Sequence, residues 1–235
     1  MGATVLVLRE EDSARRTADL LRRRGHAPVC LPLERIEATG EPPPPPPGAW
    51  SGFCITSGHA VAPLAARFAS DPRPVFAVGE ASARAALDAG FPAVLAGRGA
   101  AEDLGAEVLA HIGAGAGPLL YAAGEPRTGT LEAGLRAVGL GFRAWEVYRT
   151  VALEPGAEAF ATSGGARANA VLVLSVGQAT GLLRLFHRLP GTDPGGLLFL
   201  CLSPRIAAAL GPLGAGRTRV PAAPRLEALL DLLDA

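Results

Sequence analysis

Six turns along the chain carry residue types that can hold an anion: Arg9; Thr56 with Ser57; the 79–82 turn with Gly79 and Ser82; the 124–127 turn with Gly124 and Arg127; the 175–178 turn with Ser175 and Gly177; and the 203–205 turn with Ser203 and Arg205. Each follows an apolar run and precedes a helical pattern. Free backbone N–H groups and helix dipoles at such turns favour carboxylates or phosphates. Helix capping alone explains any one of these hydroxyls. Six turns in matched pairs point instead to a site for a polyanionic small molecule. His59, at the start of the helix after Thr56 and Ser57, reads as solvent-exposed, with ligand contact as the alternative. The other chemical handle is Tyr148. It lies in residues 145–151, where Trp145, Val147 and Val151 alternate with Glu146, Tyr148 and Thr150 as on a strand with one polar face. That strand joins two similar halves of the chain, which invites a site between them.

The chain has 235 residues and a formal net charge of zero, with Arg spread along its length. Neither a nucleic acid nor a membrane surface has electrostatic grounds as a partner. All 22 basic residues are Arg. The lack of Lys excludes Schiff-base chemistry, a P-loop lysine and covalent pyridoxal attachment. Cys30, Cys54 and Cys201 are far apart in apolar runs and read as buried small hydrophobes in a reducing compartment. The four histidines show no metal-ligand spacing, so no metal is expected. No GxGxxG follows the first strand, and no P-loop or GxSxG elbow occurs, so no nucleotide cofactor is expected either. Glu10, Glu11 and Asp12 read as first-turn helix residues. No apolar run reaches membrane-spanning length, and residues 1–8 read as a strand and not as a signal peptide. A cytoplasmic protein is expected, and nothing demands more than a monomer.

The elements that must position these residues follow from periodicity. Residues 4–8 form an apolar run of the kind buried in a parallel sheet. Asp12 or Ser13 is placed to cap a helix with Ala14, Ala18 and Leu21 on one face, stopped by Gly25. Strands at 28–33, 52–55, 75–78 and 93–95 alternate with helices such as that carrying Leu104, Val108 and Ile112. Residues 36–49 lose periodicity, and the prolines at 42–47 read as a stiff polyproline spacer, with an SH3-type ligand as a minor alternative. The pattern then restarts with strands at 118–122, the Tyr148 segment, 171–174, 197–202 and 218–220. Five strands alternating with helices in each half predict an α/β fold with open parallel sheets covered on both faces. Ligands bind such sheets beyond the carboxyl ends of the strands, at the topological switch point.

In order and spacing these features resemble the uroporphyrinogen-III synthase family over nearly the full length. The resemblance is carried by the strand into Arg9, by Thr56-Ser57 with Ala60-Val61, and by Val78-Gly79-Glu80-Ala81-Ser82-Ala83. Further matches are Gly124 with Arg127, Val147-Tyr148-Arg149-Thr150, the strand into Ser175, and Ser203-Pro204 before an alanine-rich helix. It implies two similar swapped three-layer α/β/α domains with parallel five-stranded sheets in flavodoxin-like order. One would comprise residues 1–35 with 152–235 and the other 38–148. Antiparallel linker strands near 33–40 and 145–152 would join them, with the six turns facing a cleft. The implied substrate is linear hydroxymethylbilane, closed to uroporphyrinogen III with loss of water and inversion of the last ring, without metal or cofactor. Tyr148 matches the tyrosine suited to protonate the departing hydroxyl. The six turns and His59 would bind the substrate. Ser82 stands where other members carry Thr, which keeps the hydroxyl. Ser203-Pro204-Arg205-Ile206 departs from a Gly-Pro-Thr-Thr pattern, which leaves that turn with main-chain contacts. The residues by themselves also support a non-catalytic two-lobed protein binding a polyanion, or a regulatory domain for a phosphorylated metabolite.

Overall fold

The computed structural model describes residues 2–45, 49–189 and 194–234. Its first elements are β1 (Thr4–Val7), α1 (Glu11–Arg23), β2 (Ala27–Cys30), β3 (Glu34–Ala38), β4 (Gly52–Ile55), α2 (Val61–Phe68), β5 (Val75–Ala77) and α3 (Glu80–Asp88). Then come β6 (Val94–Ala96), α4 (Leu104–Ile112), β7 (Leu119–Glu125), α5 (Thr130–Ala137) and β8 (Phe142–Ala152). The chain finishes with α6 (Ala157–Ser163), β9 (Ala170–Val173), α7 (Val176–His187), β10 (Leu198–Cys201), α8 (Pro204–Ala209), β11 (Thr218–Arg219) and α9 (Leu226–Asp234). Two compact units result, one from Met1–Arg35 with Val151–Ala235 and the other from Ile36–Thr150.

The first unit has a parallel sheet in the order β11-β10-β9-β1-β2. Alternate residues of its apolar strands serve opposite faces, as the strand period of two requires. Val5, Val7, Leu172 and Leu200 pack with Leu21 of α1 and with Leu229 and Leu230 of α9. Leu6, Leu8, Val171 and Phe199 pack with Leu182 and Leu185 of α7 and Ile206 of α8. In the second unit the order is β3-β8-β7-β4-β5-β6. Phe53, Ile55, Leu120 and Trp145 face α2 and α3, while Cys54, Phe76, Leu119 and Tyr121 face α4 and α5. Counting from the strand that begins each repeat, both sheets read 2-1-3-4-5, the flavodoxin-like order. The second sheet gains a sixth strand, β3. Leu153 N–H donates to Leu33 O at one end and Thr39 N–H donates to Val147 O at the other. One chain's numbers fall as the other's rise, so β3 runs antiparallel to β8.

Several local expectations are corrected. Residues 34–38 form a strand, where periodicity suggested none and the family resemblance implied a linker strand near 33–40. The strand expected at 28–33 is confined to Ala27–Cys30. The proline run shows no helix or strand through residue 45, and its remainder lies outside the described residues. Cys54 and Cys201 are buried, and burial pushes their thiols up to about 12 and about 11. Cys30, by contrast, is exposed, because β2 is an edge strand. A thiol reagent at pH 8 is therefore expected to label one cysteine of the native protein and three after denaturation. Rapid native labelling of all three would contradict this packing.

Helix α1 is capped neither by Asp12 nor by Ser13. Glu10, a buried residue, accepts from the Ser13 N–H at 2.7 Å and the Asp12 N–H at 2.8 Å with its two carboxylate oxygens. Glu reaches because its longer side chain spans the first turn, and its charge suits the helix dipole. Glu10→Ala is expected to lower stability by about 1–2 kcal/mol, the range for losing a cap. A urea titration checks this, and an unchanged midpoint would contradict the capping role.

Candidate active site

In the second unit, β4 and β7 are neighbours whose connections leave in opposite directions, β4 to β5 and β7 to β8. Their carboxyl ends therefore frame the switch point at which such a sheet admits a ligand. Thr56 follows β4 directly, and its Oγ1 lies 3.2 Å from the hydroxyl of Tyr121 on β7. Tyr121 is 4% exposed. Burial is the main reason its phenol is held above its ordinary pKa. The bond to Thr56 works against that, Glu132 and Tyr148 with it, and Arg127 against it.

Tyr148 reaches the same end of the sheet through an irregularity in β8. Ala123 pairs with Glu146, and the next pair is Gly124 with Tyr148, so Val147 is an extra residue in the ladder. The bulge brings the Tyr148 ring over Gly124. A Cβ at position 124 would stand 2.5 Å from the phenol oxygen and overlap two ring carbons. Only glycine leaves that space open. The ring also meets His59 edge-on, with centroids 5.5 Å apart. His59 is thus half-buried beside the phenol and not simply solvent-exposed. On the turn after β7, Arg127 gives its Nε to Glu132 and its Nη2 to Glu146, each at 3.2 Å. The Arg127 charge is already met by two carboxylates, and a ligand carboxylate would compete with them. Ser57 accepts the His59 N–H at 3.3 Å and so serves as the cap of the short turn that follows. Gly79 heads α3 without a side-chain cap, and a Cβ there would come no nearer than 3.9 Å to any atom. Its backbone N–H environment, not its size, is what that turn offers. Ser82 lies half-buried in the first turn of α3.

In the first unit the switch point lies between β1 and β9. Arg9 follows β1, half-buried, with Nη1 donating to Thr17 Oγ1 at 3.1 Å. Burial lowers its pKa, Arg16 adds to this, and Glu10 and Glu34 oppose it. The guanidinium stays charged at neutral pH. Ser175 caps α7 by accepting the Gln178 N–H at 3.0 Å. The buried Gln178 side chain takes the Leu174 N–H and donates to Glu34, both at 2.9 Å. Gly177 is exposed in the same first turn, Ser203 heads α8 with no side-chain bond to it, and Arg205 is exposed two residues further on.

The second unit thus gathers Thr56, Ser57, His59, Gly124, Arg127 and Tyr148 at one sheet end, and the first unit gathers Arg9 and Ser175 at another. Sequence reasoning missed Tyr121, Glu132 and Glu146, and reached Gln178 only as the end of the 175–178 turn, with no role for its side chain. Two of these four left a signal: a phenol inside the aliphatic run 119–123 requires a polar partner, and a Gln three residues after Ser175 follows a capping-box spacing. The arrangement offers hydrogen-bond donors, positive charge and a phenol, which suits anion binding and proton donation. Among the described residues no group of three metal-ligating side chains occurs, and no helix is long and apolar enough to cross a membrane.

A family model described as uroporphyrinogen-III synthase HemD matches residues 15–231. Among solved structures, uroporphyrinogen-III synthetase from Helicobacter pylori is similar at 17% identity and a TM-score of 0.67, covering 99% of this chain and 98% of that one. A mutant uroporphyrinogen III synthase from the extremely thermophilic bacterium Thermus thermophilus is similar at 19% identity and a TM-score of 0.51, with the same coverage. No curated protein sequence gives a significant match. At these identities the two structures speak for the fold, and the family model spans most of the sequence: the chain belongs to the uroporphyrinogen-III synthase family.

Proposed function

We infer that the protein closes linear hydroxymethylbilane to uroporphyrinogen III, with loss of water and inversion of ring D, as a lyase of tetrapyrrole biosynthesis. The family match over residues 15–231 carries this reading. In the proposed chemistry the terminal C–O bond breaks as the adjacent pyrrole nitrogen pushes in electron density. The Tyr148 phenol gives its proton to the departing hydroxyl, which leaves as water. The substituted α carbon of ring D then attacks the freed methylene of ring A, forming a C–C bond and a spiro centre. The bond from that carbon to the ring C methylene breaks with help from the ring C nitrogen. The free α carbon of ring D bonds to that methylene instead, and the proton released there restores the phenol. Support for this role comes from the seat of Tyr148 on Gly124 at the carboxyl end of the sheet, beside His59. Arg9, Thr56, Ser57, Gly79, Ser82, Ser175, Gly177, Ser203 and Arg205 are proposed to meet substrate carboxylates through side-chain or main-chain donors. Arg127 would do so by exchanging one of its two glutamates. Holding the bilane folded supplies the larger part of the selectivity, since orientation alone can be worth several powers of ten. A monomer is proposed, because Leu87 is the one large hydrophobic residue that stands exposed among the described residues. A cytoplasmic site is proposed on the three free thiols.

Complementation tests the function. Expressed in a bacterial host deleted for its own synthase, the protein is expected to restore growth without added haem. Failure to do so with soluble protein in the cell would contradict the reading.

A further inference from the structure

Tyr121 lies outside the turns that carry the family resemblance, yet its hydroxyl is committed to one of them. The ring packs among Cys54, Phe76, Leu104 and Leu131 on the α4 and α5 face. Phenylalanine would fill the same volume, so packing gives no reason for a hydroxyl. A buried hydroxyl is tolerated only where it is hydrogen-bonded, and here the partner is Thr56 Oγ1 at 3.2 Å. That bond spans the switch point, joining the end of β4 to β7.

We propose that Tyr121 is a positioning residue that fixes the Thr56 hydroxyl as a hydrogen-bond donor toward a substrate carboxylate, an inference that rests on the synthase reading above. Either oxygen could donate. A phenol is the stronger donor and the weaker acceptor of the two, because the ring draws on its oxygen lone pair. Tyr121 therefore gives its proton to Thr56, and Thr56, with an acceptor site filled, keeps its own proton to offer. A hydroxyl is otherwise a free rotor that can turn a lone pair toward the ligand. A carboxylate accepts only, so a lone pair facing it repels. Thr56 is half-buried at the carboxyl end of β4, beside the switch point at which such a sheet admits a ligand, and the hidden phenol chooses which way its proton points. Tyr121 itself stays out of contact with substrate.

The test is a four-variant comparison of KM and kcat for hydroxymethylbilane generated in situ: wild type, Tyr121→Phe, Thr56→Val and the double variant. Tyr121→Phe is expected to raise KM about fivefold, the worth of one ordinary hydrogen bond, with kcat within about twofold of wild type. In the Thr56→Val background the same change is expected to add nothing, since the group it acts through is gone. Effects that multiply in the double variant would overturn the proposal, as would a Tyr121→Phe enzyme with unchanged KM or with a loss confined to kcat. Unfolding midpoints are read alongside, and a KM change matched by lost folded protein would also overturn it. Wild type yielding only isomer I would overturn the synthase reading and this one together. Isomer III with multiplying effects would remove the role of Tyr121 alone.

Discussion

Tyr148→Phe is expected to lower kcat about 100-fold or more while leaving the unfolding midpoint within about 0.5 kcal/mol of wild type. The substitution keeps the ring over Gly124 and its edge contact with His59. It removes only an oxygen that has no protein hydrogen-bond partner among the described residues, so the fold loses no bond. What it removes is the proton donor proposed for the leaving hydroxyl. Positioned general acids contribute roughly 10²–10⁴-fold, and the pyrrole nitrogen's own push places this case toward the lower end. Steady-state rates with the bilane supplied in situ, beside a urea titration, make the comparison. A variant with wild-type kcat would remove the acid role from Tyr148 while leaving family membership untouched.

Gly124→Ala is expected to act on the same phenol from beneath. The new methyl would occupy space now filled by the Tyr148 ring, so the ring must swing away or the strands must part. Overpacking of this kind costs about 1–3 kcal/mol when neighbours cannot yield. A displacement of about 1 Å at a reacting group can cost on the order of 100-fold in rate. The expected outcome is a kcat loss of about 10- to 100-fold with a modest loss of stability. A double-mutant cycle separates the two effects. In a Tyr148→Ala background the methyl has nothing to strike, and Gly124→Ala should no longer destabilise. Equal stability losses in both backgrounds would mean that the glycine serves the backbone and not the ring.

The parallel sheets were legible because their strands are short apolar runs between helix starts, a pattern that neighbours cannot disguise. The switch point followed from the same pattern, and it is where Thr56, Gly124 and Tyr148 were found. The bulge at Val147 was not legible. Read along β8 alone, Trp145, Val147 and Val151 alternate without a break, and the extra residue appears only against the register of β7. The Thr56–Tyr121 bond was hidden for a related reason: it links residues 65 apart in sequence, and nothing local to either residue names the other. Arg127 was correctly placed at a strand end, but its two glutamates come from α5 and β8, which only the folded sheet brings together. The Glu10 cap was overlooked because Asp and Ser at the next positions are the better-known formers of that bond. Cys30 was misjudged because an apolar run on an edge strand is covered on one side only.

The measurement that bears most directly on the whole account is a product analysis. Hydroxymethylbilane is generated in situ, the folded protein is added, the products are oxidised, and the isomers are separated by chromatography. Isomer III in excess is predicted, because the protein must hold the bilane so that the last ring attacks through its substituted α carbon and inverts in the course of closure. Isomer I alone, the product of unaided closure, would contradict it.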